Sequence, residues 1–418
     1  MEMGKQWIEE FIRHLQEVSP ASRPINHQTV ALHTLSSVIG PYMWFERGTK
    51  KVHPNVWALL VGASSLTKKT TALDYGRELL FSTAKELQMS DCGGSVEGLQ
   101  AELAERSANG ICHVWSNQDE FGRVLSGMKH KDYQADLKDV MMQLYDGVPL
   151  SRRNVKMAWR IDPVYMTLIS GCTLTRLSQL LTVDDLEDGF LARFLMSYSE
   201  PYDDYVAHGH ARPHWSSVRQ TLETELSDVR TAYSSGKYTT ECFWKNDGSE
   251  QFYEAWAEDR AYDVRHFALP GPASSRLEAY FVKLCMLYDT SEKMGYLGAK
   301  HEIGYDTAVK VAEVMKPYCD NATFVYSKLG SDSGMEFVFR IVTSAEEKGV
   351  TYAELIRLSR MNIKKVASFI ETLETSERIV RLPIPRIVDG KVVGGRPAYR
   401  FYGAGFAPKE VSRATPTG

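Results

Sequence analysis

Val56-Trp57-Ala58-Leu59-Leu60-Val61-Gly62-Ala63-Ser64-Ser65-Leu66-Thr67-Lys68-Lys69-Thr70-Thr71 decides the reading of this chain. An apolar run stops at Gly62, a short loop rich in Ser and Thr follows, and two lysines and two threonines open a helical pattern. Strand, small-residue loop and helix N-terminus in that order suit phosphate, because the loop amides and the first helical turn point N–H groups at an anion. Read from Ala63, the relaxed pattern [Ala/Gly]-x4-Gly-Lys-[Ser/Thr] becomes Ala63-x4-Lys68-Lys69-Thr70, with only the second glycine replaced. Lys69 then reaches the β- and γ-phosphates and Thr70 offers its hydroxyl to Mg²⁺. Read from Gly62, Lys68 becomes the phosphate lysine, and both the glycine and the metal ligand are lost. The Ala63 register is preferred. Gly62, Ala63, Ser64, Ser65, Lys68, Lys69, Thr70 and Thr71 are the candidate nucleotide contacts. An ordinary strand-turn-helix with a basic first turn is the alternative.

The whole chain of 418 residues suits two or three domains. Its 43% hydrophobic and 24% charged content fits a globular protein and excludes a disordered one. A net charge of −4 does not advertise nucleic-acid binding, although a local basic face is compatible with it. Met1–Trp7 carries no signal-peptide apolar region, and no apolar run approaches the ~20 residues that span a bilayer. The six cysteines are scattered without metal-ligand spacing, which reads as free thiols in a reducing cytoplasm.

Periodicity along the chain predicts an α/β fold with a largely parallel sheet. Residues 1–45 read as a helical lead-in and 46–200 as the core. Within the core, strands are expected at 56–62, 111–116 and 163–170, helices at 70–88, 95–107 and 174–182, and a basic hairpin at 149–160. Residues 201–330 read as a helical lid region, 335–403 as a separate domain and 404–418 as a tail.

Strand 111–116 runs into Asn117-Gln118-Asp119-Glu120. A carboxylate pair after a strand, about fifty residues beyond a phosphate loop, suits ATP hydrolysis: Asp119 for Mg²⁺ and Glu120 to orient and polarise the attacking water. The same pair is also an ordinary helix-start signal. Strand 163–170 ends in Ser170-Gly171-Cys172-Thr173, where Thr173, and second Ser170, could present a hydroxyl to the γ-phosphate or the attacking water. A helix N-cap at Thr173 is the equal alternative. Arg193, between Ala192 and Phe194, reads as a finger into a neighbouring subunit's site. Arg276 reads either as a cation folding over the phosphates in cis or as a surface arginine.

These segments, with Leu144-Tyr145-Asp146 and Gly189-Phe190-Leu191-Ala192-Arg193-Phe194, resemble a widespread bacterial and phage family of P-loop proteins known mostly as a domain of unknown function. The resemblance covers roughly residues 25–330. The order of elements is also similar to AAA+ ATPases of the replicative-helicase, MCM-like branch. It implies an oligomeric ring, hexameric in that branch, with ATP at subunit interfaces. It places Lys69 and Thr70 on phosphate and Mg²⁺, and Arg193 in trans. ATP and Mg²⁺ are the cofactors so implied, and a primase or other replication partner is a further expectation.

In such helicase-like proteins a hairpin between the carboxylate strand and the next grips nucleic acid. Arg152, Arg153 and Lys156 are the candidates here, with a solvated basic loop as the alternative. Residues 335–403 read as a winged helix-turn-helix. Thr351 and Glu354 form a capping box. Helix 363–376 carries Lys364 and Lys365, and a wing around Asp389-Gly390 carries Lys391 and Arg396. DNA, single-stranded or duplex, is the expected partner. The reading is an ATP-dependent, helicase-like motor of phage, plasmid or mobile-element replication; an ATP-binding DNA adaptor with little turnover is the alternative.

Overall fold

The computed structural model describes residues 6–64, 66–89, 95–110, 113–130, 136–153, 158–181, 185, 188–203, 206, 212–235, 240–265, 271–294, 300–329, 333–359, 363–384, 387–388, 391–392 and 398–407. The chain is α/β and divides into two compact units, Met1–Tyr326 and Ser327–Gly418.

The first unit opens with α1 (Trp7–Val18) and α2 (Pro24–Ile39), then β1 (Met43–Arg47) and β2 (Lys50–Val52). The strand β3 (Trp57–Gly62) leads through the quoted loop into α3 (Lys69–Ala84), followed by α4 (Val96–Ala108). Next come β4 (His113–Gln118), α5 (Phe121–His130), α6 (Leu137–Tyr145), the pair β5 (Leu150–Arg153) and β6 (Ala158–Ile161), β7 (Tyr165–Cys172), α7 (Leu174–Leu180) and β8 (Leu195–Ser199). The remainder is α8 (Trp215–Ser234), β9 (Thr240–Trp244), α9 (Ser249–Arg265), α10 (Gly271–Glu292), β10 (Lys300–Ile303) and α11 (Tyr305–Leu329).

The main sheet has the order β4-β7-β3-β8, and every pairing is parallel. Every residue of β3 and β7 is buried, as expected of central strands covered by helices on both faces. Their near-continuous apolar runs are what made them readable. Helix α2 packs against β3, β7, β8 and α3. It is no lead-in but a core helix, with polar side chains that find partners deep in the fold. The Ser36 hydroxyl donates to the carbonyl of Pro54 (2.7 Å) and accepts from the amide of Val56 (3.0 Å). Ser37 bonds Thr167 at 2.7 Å, and Asn26 accepts from Ser197 at 2.7 Å. Leaving any of these buried groups unpaired would cost about 1–3 kcal/mol, which ties α2 to the sheet in one register.

Residues 201–330 are not helical throughout. The strands β9 and β10 join β1 and β2 in a second sheet of order β10-β9-β1-β2, so residues 43–45 pair with 240–242. The segments expected as lead-in, core and lid are therefore one compact unit.

The second unit contains α12 (Ser333–Ser344), β11 (Val350–Thr351), α13 (Tyr352–Ser359), α14 (Ile363–Thr375), β12 (Ile379–Ile384), the short pair β13 (Ile387–Val388) and β14 (Lys391–Val392), and β15 (Ala398–Gly403). An antiparallel sheet of order β11-β15-β12 packs on a core that includes Val338, Val342, Leu355, Val366, Leu373 and Phe401. The expected capping box is present: the Glu354 carboxylate accepts from the Thr351 amide (2.8 Å) and hydroxyl (2.7 Å).

Candidate nucleotide site

Gly62 ends β3 where no side chain fits. A Cβ there would lie 2.7 Å from the Ser199 carbonyl oxygen and 2.9 Å from Thr67 Oγ1. The loop that follows is braced from inside: Thr67 is buried and donates to the Ala63 carbonyl at 3.0 Å, and the Leu66 amide donates to the Ser64 carbonyl at 2.7 Å. Ser65 lies outside the described residues. Lys69 is the first residue of α3, and its ammonium curls back to donate to the carbonyls of Gly62 (2.7 Å) and Ala63 (3.2 Å). Burial holds that ammonium below its usual pKa, against the nearby Cys172 and Glu120.

Lys68 occupies the position of the missing glycine and takes the left-handed conformation glycine would favour, φ +46° and ψ +36°. The geometry therefore fits the Ala63 register. A side chain in that conformation costs about 1–2 kcal/mol, most for β-branched residues. Lys68→Gly should leave stability within about 1 kcal/mol of wild type, because relief of strain offsets the added chain entropy, while Lys68→Val should lose about 1–2 kcal/mol. Urea denaturation of the three proteins checks this; equal midpoints for the Gly and Val variants would contradict it.

Parallel register brings the distant segments level. Gln118 pairs with Ser170, Gly171 with Leu60, and Cys172 with Val61. Asp119 and Glu120 thus continue past the sheet edge beside Gly171 and Cys172. Because β7 stands between β3 and β4, two strand spacings of about 4.8 Å separate the loop strand from the carboxylate strand, which leaves room for a phosphate and a water. A Cβ on Gly171 would sit 3.1 Å from the Asp119 carbonyl and 3.9 Å from Lys69 Cε, so the glycine permits the close approach of these two segments.

Ser64, Lys68, Lys69, Thr70, Thr71, Asp119, Glu120, Gly171, Cys172 and Thr173 line one cleft of about 310 Å³. Thr70 and Asp119 are both exposed there. Two protein oxygens suit Mg²⁺, which keeps several waters and takes the rest of its shell from phosphates. Asp119 also lies 3.6 Å from the Arg77 guanidinium, which pairs with Asp74 as well. Among the described residues no cluster of three or more His, Cys, Asp or Glu side chains offers a site for a metal held by protein alone. The Glu120 carboxylate accepts from the Gly122 amide at 3.2 Å and from the Cys172 thiol at 3.6 Å. Burial and the adjacent Glu120 push that thiol up to about 12, so it stays a neutral donor.

Thr173 meets both of its readings. Its hydroxyl caps α7 by accepting from the Arg176 amide at 3.1 Å, and the residue also lines the cleft. Ser170 does not reach the cleft, because its buried hydroxyl donates to the Gln118 carbonyl at 2.6 Å.

Arg193 does not sit as the finger reading expects, and of the two readings of Arg276 the structure does not support a cation over the phosphates. Leu195 pairs with Ala58, so Arg193 lies at the amino end of the sheet, and the Tyr280 hydroxyl sits between its carbonyl (2.6 Å) and that of Trp57 (2.7 Å). The loop is at the opposite end of β3, about 17 Å away at 3.3 Å per residue. Arg193 is 7% exposed and spends its guanidinium on Asp146 (2.6 Å) and the Gly189 carbonyl (2.8 Å) of its own chain. A finger acting in trans must protrude, and this one is enclosed. Arg276 bonds the other oxygen of Asp146 at 2.8 Å, and the two arginines hold that carboxyl below its usual range although burial pushes it up. These cations organise the base of the sheet rather than the phosphate cleft.

The basic hairpin forms, with Arg152 opposite Trp159 and Arg153 opposite Ala158. The side chains of Arg152 and Arg153 lie outside the described residues, as does the whole of Lys156. Lys364 is exposed at the start of α14. The Lys365 and Lys391 side chains and all of Arg396 are outside the described residues. Further along α14 come Glu371 and Glu374, the latter paired with Arg381 at 2.9 Å, so the basic character of this helix is confined to its start.

The sequence reading passed over Arg77, Gly171 and Cys172. Arg77 lacks any motif; Gly171-Cys172 at the end of a buried strand was the available signal. The reading also missed an adjoining cleft of about 510 Å³, which Glu120, Arg123, Ser126, Gly127, Thr173 and Arg176 line. Among the described residues no helix is long and apolar enough to cross a membrane. The chain matches no protein-family model and no curated protein.

Proposed function

We propose that this chain is a P-loop ATPase of the AAA+-like kind that acts on nucleic acid, in phage, plasmid or mobile-element replication. The observation that carries the reading is the cleft itself. Residues from three separate parts of the sequence, Lys69 and Thr70, Asp119 and Glu120, and Thr173, line one space at the carboxyl edge of a parallel sheet. Ligands of open α/β sheets bind at that edge. Loop amides and Lys69 take the phosphates, and bound Mg²⁺ would offset their charge between Thr70 and Asp119. Glu120 orients the attacking water, and Thr173 faces the γ-phosphate. Arg123 and Arg176 line the adjoining cleft with Glu120 and Thr173 and would supply the cation that meets the transferring phosphoryl group. A homo-oligomer, hexameric in the related branch, belongs to this reading.

The β5–β6 hairpin and the second unit supply the nucleic-acid side. Three helices, a three-stranded antiparallel sheet and the β13–β14 pair follow the order of a winged helix-turn-helix, with Lys364 at the start of the helix that would enter a groove. The adaptor alternative is favoured by one contact: Arg77 beside Asp119 competes with Mg²⁺ for the carboxylate.

The test is ATP turnover by the full chain with and without single-stranded DNA. The motor reading expects turnover that DNA stimulates. ATP binding without turnover in either condition would leave the adaptor, and neither binding nor turnover would overturn both.

A further inference from the structure

The phosphate cleft has a neighbour. Thr71, which lines the cleft, also lines a second cavity of about 370 Å³ that runs along one face of α3. Thr71, Asp74, Tyr75 and Glu78 fall at i, i+3, i+4 and i+7 on that face, so the cavity extends about 10 Å from the phosphate cleft at 1.5 Å per residue. That is the scale of a nucleoside, and the volume lies within the ordinary range of small-molecule sites.

The far wall is aromatic. His14 from α1 packs against both Tyr75 and Trp215 of α8, with ring centroids 5.5 Å apart for His14–Tyr75 and 6.2 Å for His14–Trp215. Trp215 is itself fixed by an indole bond to Glu17 at 3.2 Å. The Tyr75 hydroxyl has no hydrogen-bond partner among the described residues, although the residue is only 9% exposed. The hydroxyl is enclosed beside the cavity, and because leaving its hydrogen bond unmade is costly, a small turn of the ring that brings it to a ligand atom is favourable. Burial lowers the His14 pKa, so its ring is a neutral donor and acceptor near pH 7. Such a set of planar rings and neutral polar atoms suits a heteroaromatic base. Asp74, one turn along from Thr71, is a carboxylate placed to accept from ribose hydroxyls.

We infer that the cavity between α1, α3 and α8 holds the base of the nucleotide whose phosphates lie on the 62–71 loop, with Trp215 and His14 against the ring and the Tyr75 hydroxyl on its polar edge. The inference rests on the phosphate reading of the loop and adds to it the site that makes the ligand a nucleotide rather than any polyphosphate.

Calorimetric titration of the full chain with Mg·ATP and with Mg·tripolyphosphate, which has no base, separates the two. Trp215→Ala should weaken ATP about 10- to 100-fold, the usual scale for losing a stacking partner, and leave tripolyphosphate unchanged. Tyr75→Phe removes one oxygen from an otherwise intact fold and should weaken ATP about 3- to 10-fold, again without effect on tripolyphosphate. Unchanged ATP affinity in both variants, with Lys69→Ala still weakening both ligands, would overturn the base site and leave the phosphate reading standing. Equal weakening of both ligands by Trp215→Ala, with no effect of Tyr75→Phe, would make the cavity structural and also overturn it. Failure of both ligands to bind the wild type would overturn both readings.

Discussion

Replacing Glu120 by Gln should lower ATP turnover by roughly 10²-fold or more while Mg·ATP still binds, because general-base catalysis contributes about 10²–10⁴. The side chain is exposed in the cleft beyond β4, and its orientation is set by the Gly122 amide at 3.2 Å and the Cys172 thiol at 3.6 Å. Gln keeps the length, the volume and an acceptor oxygen for both bonds, so the loop and the Lys69 contacts are untouched. What it loses is the negative charge that polarises a water toward the γ-phosphate. Single-turnover hydrolysis alongside nucleotide binding reads the two effects separately. Turnover that survives the substitution would place the base elsewhere and remove Glu120 from the proposed mechanism.

The second large effect is on stability and lies in acid. His27, His33 and His113 are buried in and around α2 and β4, and burial holds them down to about 4, 3 and 3 respectively. The folded state withholds protons that the unfolded chain accepts below its ordinary histidine value near 6.5. Stability is therefore complete above pH 6.5 and is lost as pH falls from there toward 4. Each histidine contributes about 1.4 kcal/mol per pH unit, so the three together remove about 6 kcal/mol at pH 5. That approaches the whole stability of an ordinary domain, about 5–15 kcal/mol. Urea denaturation at pH 7 and pH 5 measures the loss, and His33→Gln should reduce it by about a third. A midpoint that does not move between these pH values would contradict it.

The parts of the fold that were legible share one property: their signal is local. The strands β3 and β7 are apolar throughout because helices cover both faces, and Gly62 and Gly171 mark the ends that face the cleft. What was illegible depends on partners far along the chain. Helix α2 looked peripheral because seven of its buried residues are Asn, Ser, Thr and His, and distant partners such as Ser197, Pro54 and Thr167 reveal why several of those side chains can be buried. The strands β9 and β10 hid in a helix-rich stretch because their pairing reaches back to residues 43–45. Arg193 in its apolar setting promised an unusual role. Asp146, 47 residues earlier, explains its burial and moves it away from the phosphates. Of the residues that line the cleft, Lys69, Thr70, Asp119, Glu120 and Thr173 stand out in the sequence, each after the end of a strand. Cys172 and Arg77 were not, since their work is to hold or oppose another residue's carboxylate.

The central claim is that the 62–71 loop binds a nucleotide through Lys69. Calorimetric titration of the full chain with Mg·ATP, wild type beside Lys69→Ala, tests it most directly. A saturable, Mg²⁺-dependent isotherm is expected for the wild type and a loss of 10²-fold or more in the variant, since removing a charge-assisted contact to phosphate costs about 3 kcal/mol. Equal affinity in the two proteins would contradict it.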